Sequence, residues 1–365
     1  MFRMLNCVER PNWDTTNPFE FGRPVAESKA SVFAGRQDIV RELESAILNS
    51  DVPPALLLHG PRRMGKSSIL RQLPRLLGPD FAVAEVPELD LANAATFESP
   101  GRFLFVLSRA IAGGLRRRHV LAEAPAETAF DGRPHAAFDD WLRGVERELP
   151  GKLRMLVCFD EYESLHQRAE RGTAWVDDLL DTMRHWLQHH PRLVLLFTGV
   201  RTFSDLGERW TRRFVSVRSV RVSFLPRADL IPILTRPLPD FGLVWSQGTL
   251  DALLDATAGQ PFLTQAMAYE LVQHLNDSDR REATLADIGA VERVVYSRAR
   301  EYLVGVWQDA TPEGQAILRA VLRRTAIPED PRARRILREM ELLDDQSRFR
   351  VPLVERWMRD NEAAL

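Results

Sequence analysis

An α/β fold with a parallel sheet at its core is what this sequence predicts, and three observations carry that reading. Continuous apolar runs rather than alternating ones recur along the first 225 residues, the mark of strands buried on both faces. Helical periods separate these runs, as a parallel sheet covered by helices requires. A glycine-rich segment sits at one of the junctions between a run and a helix.

Residues 1–30 are irregular and rich in Pro and Asn, and they read as an arm laid over a neighbouring domain. In 32–48 the apolar positions Ile39, Leu43, Ala46 and Ile47 fall on one helical face. PPALLLHG reads as a buried strand closed by glycine, and SSILRQLPRLLG as the helix after it. FAVAEVPELDL is a strand, 103–119 a helix, 121–135 a loop, and 136–149 a helix. LRMLVCF, RLVLLFTGV and SVRVSFL read as strands, with a helix over 174–190. Beyond about residue 225 strand signals stop and helical patterns follow: 227–238, 247–259, 261–276 and a long one over 285–308. TPEGQAILRAVL and RRILREMELLDDQ continue them, and a short strand pair near SRFRV precedes a last amphipathic helix. No internal repeat is visible.

The 365 residues carry 49 Lys and Arg against 51 Asp and Glu, with 45% hydrophobic residues, a composition that excludes disordered, fibrous and coiled-coil classes. No strong field of either sign points to nucleic acid. The two cysteines, Cys7 and Cys158, argue against a disulfide framework and a zinc site. The eight histidines show no metal spacing, and His189-His190 before a proline reads as a helix terminus. No apolar stretch is long enough for a membrane span or a secretion signal, so a cytoplasmic protein with no membrane partner is expected. Lysine occurs only three times, at Lys29, Lys66 and Lys152, so any lysine inside a motif is informative. The run Arg116-Arg117-Arg118 reads as a solvated helix end.

The chemistry concentrates in Gly60-Pro61-Arg62-Arg63-Met64-Gly65-Lys66-Ser67, which fits G-x-x-x-x-G-K-[ST] between a strand and a helix. Glycines let successive backbone N–H groups turn inward as an anion nest, and the helix N-terminus adds its positive end. The segment through Ser68 is expected to cradle phosphates, with Lys66 on the β- and γ-phosphates and Ser67 on Mg2+. The run LRMLVCF ends in Phe159-Asp160-Glu161. A carboxylate at such a strand tip can order Mg2+, and its neighbour can deprotonate the attacking water. Asp160 is assigned to the metal and Glu161 to the water. Thr198, at the end of the next apolar strand, is a candidate γ-phosphate sensor or a strand cap. Arg209, Arg212 and Arg213 offer an arginine finger for a neighbouring subunit or, alternatively, a solvated face.

The order NPFEFG, FAGR, GPRRMGKSS, FDEYESL, LLFTGVR, AGQPFLTQ, FRVPLVERW resembles the STAND and AAA+ branches of P-loop ATPases, above all the archaeal-type ATPase group, itself similar to the Orc/Cdc6 initiators. The resemblance implies a P-loop NTPase core over 31–224, a helical lid over 225–300 and a winged-helix domain over 301–365, with 1–30 as the arm. It also implies that Gly35 and Arg36 contact the base and that Pro261, in Gly-Gln-Pro, packs against the nucleotide; the same Gly and Pro also read as a helix stop and start. ATP or ADP with Mg2+ is the implied ligand, and slow ATP hydrolysis the implied activity. STAND proteins usually carry an effector and a repeat array for which this chain has no room, so the implied role is a molecular switch that regulates a separate partner protein, with nucleotide-dependent self-association. The alternative is a DNA-binding AAA+ ATPase of replication, transposition or defence. It would use Arg332, Arg334, Arg335 and Arg338 on the recognition helix, although residues 311–365 hold 11 Arg against 10 acidic residues.

Overall fold

The computed structural model describes residues 16–84, 91 and 94–365. These form two compact units. Pro24–Ala30 and Arg36–Ser223 make a sheet unit; residues 16–23, Ser31–Gly35 and Phe224–Leu365 make a helical unit.

In the sheet unit five strands, β1 (Ala55–His59), β2 (Phe81–Val83), β3 (Arg154–Phe159), β4 (Leu193–Gly199) and β5 (Val217–Arg221), pair in the order β2-β3-β4-β1-β5. Every pairing is parallel. The helices of this unit are α1 (Gln37–Leu48), α2 (Lys66–Leu76), α3 (Pro100–Arg117), α4 (Pro134–Glu148), α5 (Glu163–Glu170), α6 (Trp175–His189) and the single turn α7 (Glu208–Thr211). β4 is buried along its whole length, as are Met155–Phe159 of β3, which is why both strands are continuous apolar runs in sequence. β5 is an edge strand whose Arg218, Ser219 and Arg221 face solvent. Exposure of those polar side chains shifts its span two residues upstream of the apolar pattern that SVRVSFL suggests. The strand expected from FAVAEVPELDL keeps only Phe81–Val83; residues 85–90 lie outside the described part.

Aromatic rings fill the layer beside the strand tips. Phe197 is fully buried and its ring lies 5.2 Å from those of Phe159 and Phe214 and 5.4 Å from that of Phe203. Arg118 departs from the solvated helix end that the arginine run suggests. Its guanidinium donates to Phe81 O at 2.7 Å and Gly78 O at 3.1 Å, tying the end of α2 to the start of β2. Arg117 pairs with Glu27 at 3.1 Å.

The helical unit contains α8 (Arg227–Thr235), α9 (Thr249–Thr257), α10 (Pro261–Asp277), α11 (Leu285–Arg298), α12 (Arg300–Asp309), α13 (Pro312–Arg323), α14 (Pro331–Glu339) and α15 (Pro352–Asp360). The long helix expected over 285–308 is broken at Ala299 (φ −94°, ψ 12°). Strand structure does not stop at 225: Val244–Trp245 (β6) and Glu282–Ala283 (β7) form a two-residue parallel pair, too short to leave a pattern. The strand pair expected before the last helix is a single antiparallel bridge, Leu343 to Phe349. Thr284 and Asp287 cap α11 reciprocally, and Arg280 holds the Asp287 carboxyl well below the usual range.

Where described, the expected arm is tied down. Within the helical unit Asn17 donates to Tyr269 O at 2.9 Å and Phe21 stacks on Phe262 at 5.5 Å. Within the sheet unit the Val25 N–H donates to Ser68 Oγ at 3.0 Å and Gln72 Nε2 to Ala26 O at 2.6 Å. No helix among the described residues is long and apolar enough to cross a membrane.

Phe197→Ala removes the ring that the other aromatics surround, and about 3–5 kcal/mol of stability should go with it. Chemical denaturation followed by tryptophan fluorescence, which reads the adjacent Trp210, measures the loss.

Candidate functional site

The site begins where the central strand β1 ends. His59 pairs in register with Gly199 of β4 on one side and Arg221 of β5 on the other. The Gly60 N–H then donates to Gly199 O at 3.2 Å, while the Val222 N–H donates to His59 O at 2.7 Å. A Cβ at Gly60 would lie 2.3 Å from Val222 O, so only glycine lets the loop leave the sheet there. Met64 is buried beneath the loop. The Arg36 guanidinium, itself buried, donates to Met64 O at 3.0 Å and to Ser223 O at 2.7 Å. Arg62 and Arg63 remain exposed.

α2 starts at Lys66 with Gly65 as its N-cap and no side chain capping it. Its first backbone N–H groups and the positive end of its dipole are therefore available to an anion. Lys66 Nζ donates to Gly60 O at 2.8 Å and to Pro61 O at 2.9 Å. Burial lowers its pKa to about 8, against the opposing charges of Glu163, Asp160 and Glu161. Ser68 is buried and its hydroxyl takes the Val25 N–H, which gives it a structural part. For Ser67 no hydrogen-bond partner of the hydroxyl is found among the described residues.

The carboxylates come from the tips of β3 and β4. Asp160 follows β3 directly; its Oδ1 accepts a short hydrogen bond from the Thr198 hydroxyl and another from the Glu161 N–H at 3.1 Å. Thr198 is fully buried, so its hydroxyl orients Asp160. Glu161 is exposed with φ +52°, a conformation that costs a non-glycine residue energy and that clusters at functional turns. Tyr162 is buried, with its N–H donating to Thr198 O at 3.1 Å and its hydroxyl to Arg201 O at 2.9 Å.

Glu163 went unnoticed in sequence. Its Oε1 accepts the Val200 N–H at 2.6 Å and the Arg201 N–H at 3.0 Å, and it heads the acidic groups acting on Lys66. A Cβ at Gly199 would fall 2.4 Å from its Oε2 and 2.5 Å from the Tyr162 ring; that glycine was the available signal. His59 beside the loop is held below its usual pKa by burial and then by Arg221, so it stands neutral at pH 7.

Other sequence candidates fall elsewhere. Arg209 pairs with Asp177 at 3.1 Å, Arg213 with Asp181 at 2.6 Å and Asp177 at 3.2 Å, and Arg212 with Glu208. Arg209 and Arg213 are thus part-buried against α6, whereas Arg212 and Glu208 pair on a solvated face. Gly35 and Pro261 belong to the helical unit. Pro261 is the first residue of α10, whose N-cap Gln260 accepts the Leu263 N–H at 2.6 Å, and Ala258 ends α9 in a left-handed turn; the helix stop and start is present. On α14, Arg334 donates to Pro328 O at 3.1 Å, Arg335 pairs with Glu339 at 3.4 Å and Arg338 with Asp345 at 3.1 Å, while Arg332 is exposed.

The donor set suits Mg2+ and a polyphosphate. A serine hydroxyl and an aspartate carboxylate are hard oxygen ligands, and an uncapped helix start with a desolvated ammonium supplies anion binding without further side chains. Arg36→Ala should leave the Met64 and Ser223 carbonyls without their donor and cost about 2 kcal/mol, read as a lowered unfolding midpoint in urea.

No curated protein matches the chain in sequence. Among solved structures the fold is similar to the Walker-type ATPase of Pyrococcus abyssi, with a TM-score of 0.63 at 18% identity over 94% of this chain and 99% of that one. It is more distantly similar to the Aeropyrum pernix Orc1 protein in complex with DNA (TM-score 0.48, 16% identity, 91% of this chain, 84% of that one). The Thermotoga maritima RuvB Holliday junction branch migration motor gives a TM-score of 0.45 at 13% identity, over 90% of this chain and 95% of that one. At such identities the likeness extends to the fold alone. The family profile described as Novel STAND NTPase 1 matches residues 18–361, so that nearly the whole chain takes part, and the protein belongs to this family of STAND NTPases.

Proposed function

We propose that this NTPase binds ATP with Mg2+ at Gly60–Ser67, hydrolyses it slowly, and works as a switch that regulates a partner protein. The observation that carries the reading is the Lys66 ammonium, desolvated at the uncapped start of α2 and faced by Glu163, Asp160 and Glu161. Bound at Ser67 and Asp160, Mg2+ would neutralise charge on the phosphate oxygens. The loop N–H groups and Lys66 hold the β- and γ-phosphates, Lys66 exchanging the Gly60 and Pro61 carbonyls for phosphate oxygens. Thr198 keeps Asp160 oriented through its hydroxyl. Glu161 takes a proton from the attacking water as the water oxygen bonds to the γ-phosphorus and the bond to ADP breaks.

Base contacts by Gly35 and Arg36 and a nucleotide contact by Pro261 belong to the same proposal and rest on the resemblance, as do the lid over 225–300, the winged helix over 301–365 and the partner protein. For Arg36 the guanidinium is already committed to Met64 and Ser223, so its base contact would be made by the backbone. An arginine finger from 209–213 has to leave its carboxylates first, which favours slow turnover. The DNA-directed alternative draws little from the geometry, since Arg335 and Arg338 are paired with acidic residues.

Phosphate release from ATP plus Mg2+ tests the reading, with and without duplex DNA. Slow turnover indifferent to DNA is expected. Lys66→Ala should lose nucleotide binding, whereas Glu161→Gln should keep binding and lose about 10²-fold or more in rate. Stimulation by DNA would favour the alternative, and an undiminished rate in Glu161→Gln would remove Glu161 from the mechanism.

The Lys66 ionisation gives a second prediction. Its pKa near 8 lies below the ordinary 10.5, and polyphosphate needs the ammonium. Nucleotide affinity should therefore fall as pH rises past about 8, by up to about tenfold per pH unit, in titrations of nucleotide binding. In the empty protein the sign is opposite. The unfolded chain holds the proton to higher pH, so the stability contribution of Lys66 rises between about pH 8 and 10.5.

A further inference from the structure

Neither the NTPase site nor any histidine spacing in the sequence accounts for a cluster on the other helices of the sheet unit. We infer that Asp139, His185 and His190 form a binding site for one divalent transition-metal ion, zinc foremost, where α4 meets the C-terminal end of α6. Asp139 Oδ1 lies 2.7 Å from His190 Nε2 and 3.4 Å from His185 Nε2, and the three donor atoms all lie within 4.8 Å of one another. Two ligands on a tetrahedral zinc with bonds of about 2.0–2.1 Å stand about 3.4 Å apart. The Asp139–His185 separation already has that value, and the Asp139–His190 contact has to open by about 0.7 Å, within the reach of a small side-chain rotation.

The surroundings are those of a built ligand set. His190 is fully buried, and its other ring nitrogen, Nδ1, lies 2.7 Å from Glu146 Oε2. Glu146 is itself fixed, since its Oε1 accepts the Arg192 N–H at 3.0 Å. A carboxylate on the far nitrogen sets the orientation of a ligating histidine and raises its basicity. Arg143 donates to Asp139 Oδ2 at 2.8 Å, which leaves Oδ1 turned to the histidines. The two helices are locked together beside the cluster by Phe138 and Trp186, both fully buried with ring centroids 4.8 Å apart. His185 is 45% exposed, so it opens the site to an entering ion and to a water as fourth ligand.

Both ring nitrogens of His190 face carboxylates, Nε2 towards Asp139 and Nδ1 towards Glu146. Binding would put the ion between His190 Nε2 and Asp139 Oδ1, with Nε2 unprotonated as a ligand nitrogen must be. Two imidazoles with one carboxylate select zinc, cobalt, nickel or copper over Mg2+ and Ca2+. The residues are distinct from Ser67 and Asp160, so loading requires no nucleotide.

The test is a titration of the intact, nucleotide-free chain with zinc in excess Mg2+, followed by competition with a chromophoric chelator and repeated with cobalt for its visible absorption. One zinc per chain is expected. Exposed His185 can be replaced without harm to the core, and His185→Asn should weaken binding at least tenfold with an unchanged circular dichroism spectrum, while the neighbouring His189→Asn should bind as the parent does. Absence of stoichiometric binding, or equal binding by His185→Asn and the parent, would overturn the assignment.

Discussion

Gly60 stands where both neighbours of the central strand close in on it. Its N–H is held by Gly199 of β4, a Cβ on it would strike Val222 O beyond β5, and the Val222 N–H is in turn hydrogen-bonded to His59 O. The next residue, Ser223, shares the Arg36 guanidinium with Met64 of the loop. A closed circuit results, from Gly60 through Val222, Ser223, Arg36 and Met64 back into the loop, and it defines both ends of the phosphate-loop turn before any ligand arrives. A parallel strand flanked on both sides has its backbone groups satisfied throughout; the loop inherits that rigidity at its root.

The acidic tips depend on the same arrangement. β4 lies between β1 and β3, so its last residues reach both the loop and the β3 carboxylates. Thr198 serves Asp160 through its hydroxyl and Tyr162 through its carbonyl, and Gly199 serves Gly60. Residues that look like a featureless apolar run with a small-residue ending thus form the bracket between the anion-binding and acidic halves of the site.

What the sequence made legible follows from the range of each interaction. The phosphate loop, its strand and its helix are local, so Gly60–Ser67 could be read directly, and Asp160-Glu161 after it. β3 and β4 are apolar because both faces are buried; β5 is an edge strand and was misplaced for that reason. The break at Ala299 involves neither glycine nor proline, and β6 and β7 span two residues each, so no period marks them. Arg36, Arg118 and Glu163 owe their parts to hydrogen bonds with partners 28 to 187 residues away. Asp139 and His190 meet across 51 residues. Only packing of α4 on α6 brings them together, which spacing rules for metal ligands cannot anticipate.

The Glu163 carboxylate has two clients at once. It closes the turn after β4 by accepting the Val200 and Arg201 N–H groups, and it is the foremost negative charge acting on Lys66. Thermodynamic reciprocity then makes the two clients interdependent. Whatever pulls the Val200–Arg201 turn away from Glu163 alters the proton affinity of Lys66, and whatever occupies Lys66 alters how firmly that turn is held. The turn after β4 and the Lys66 ammonium thereby share one electrostatic account, so a displacement of either is felt by the other.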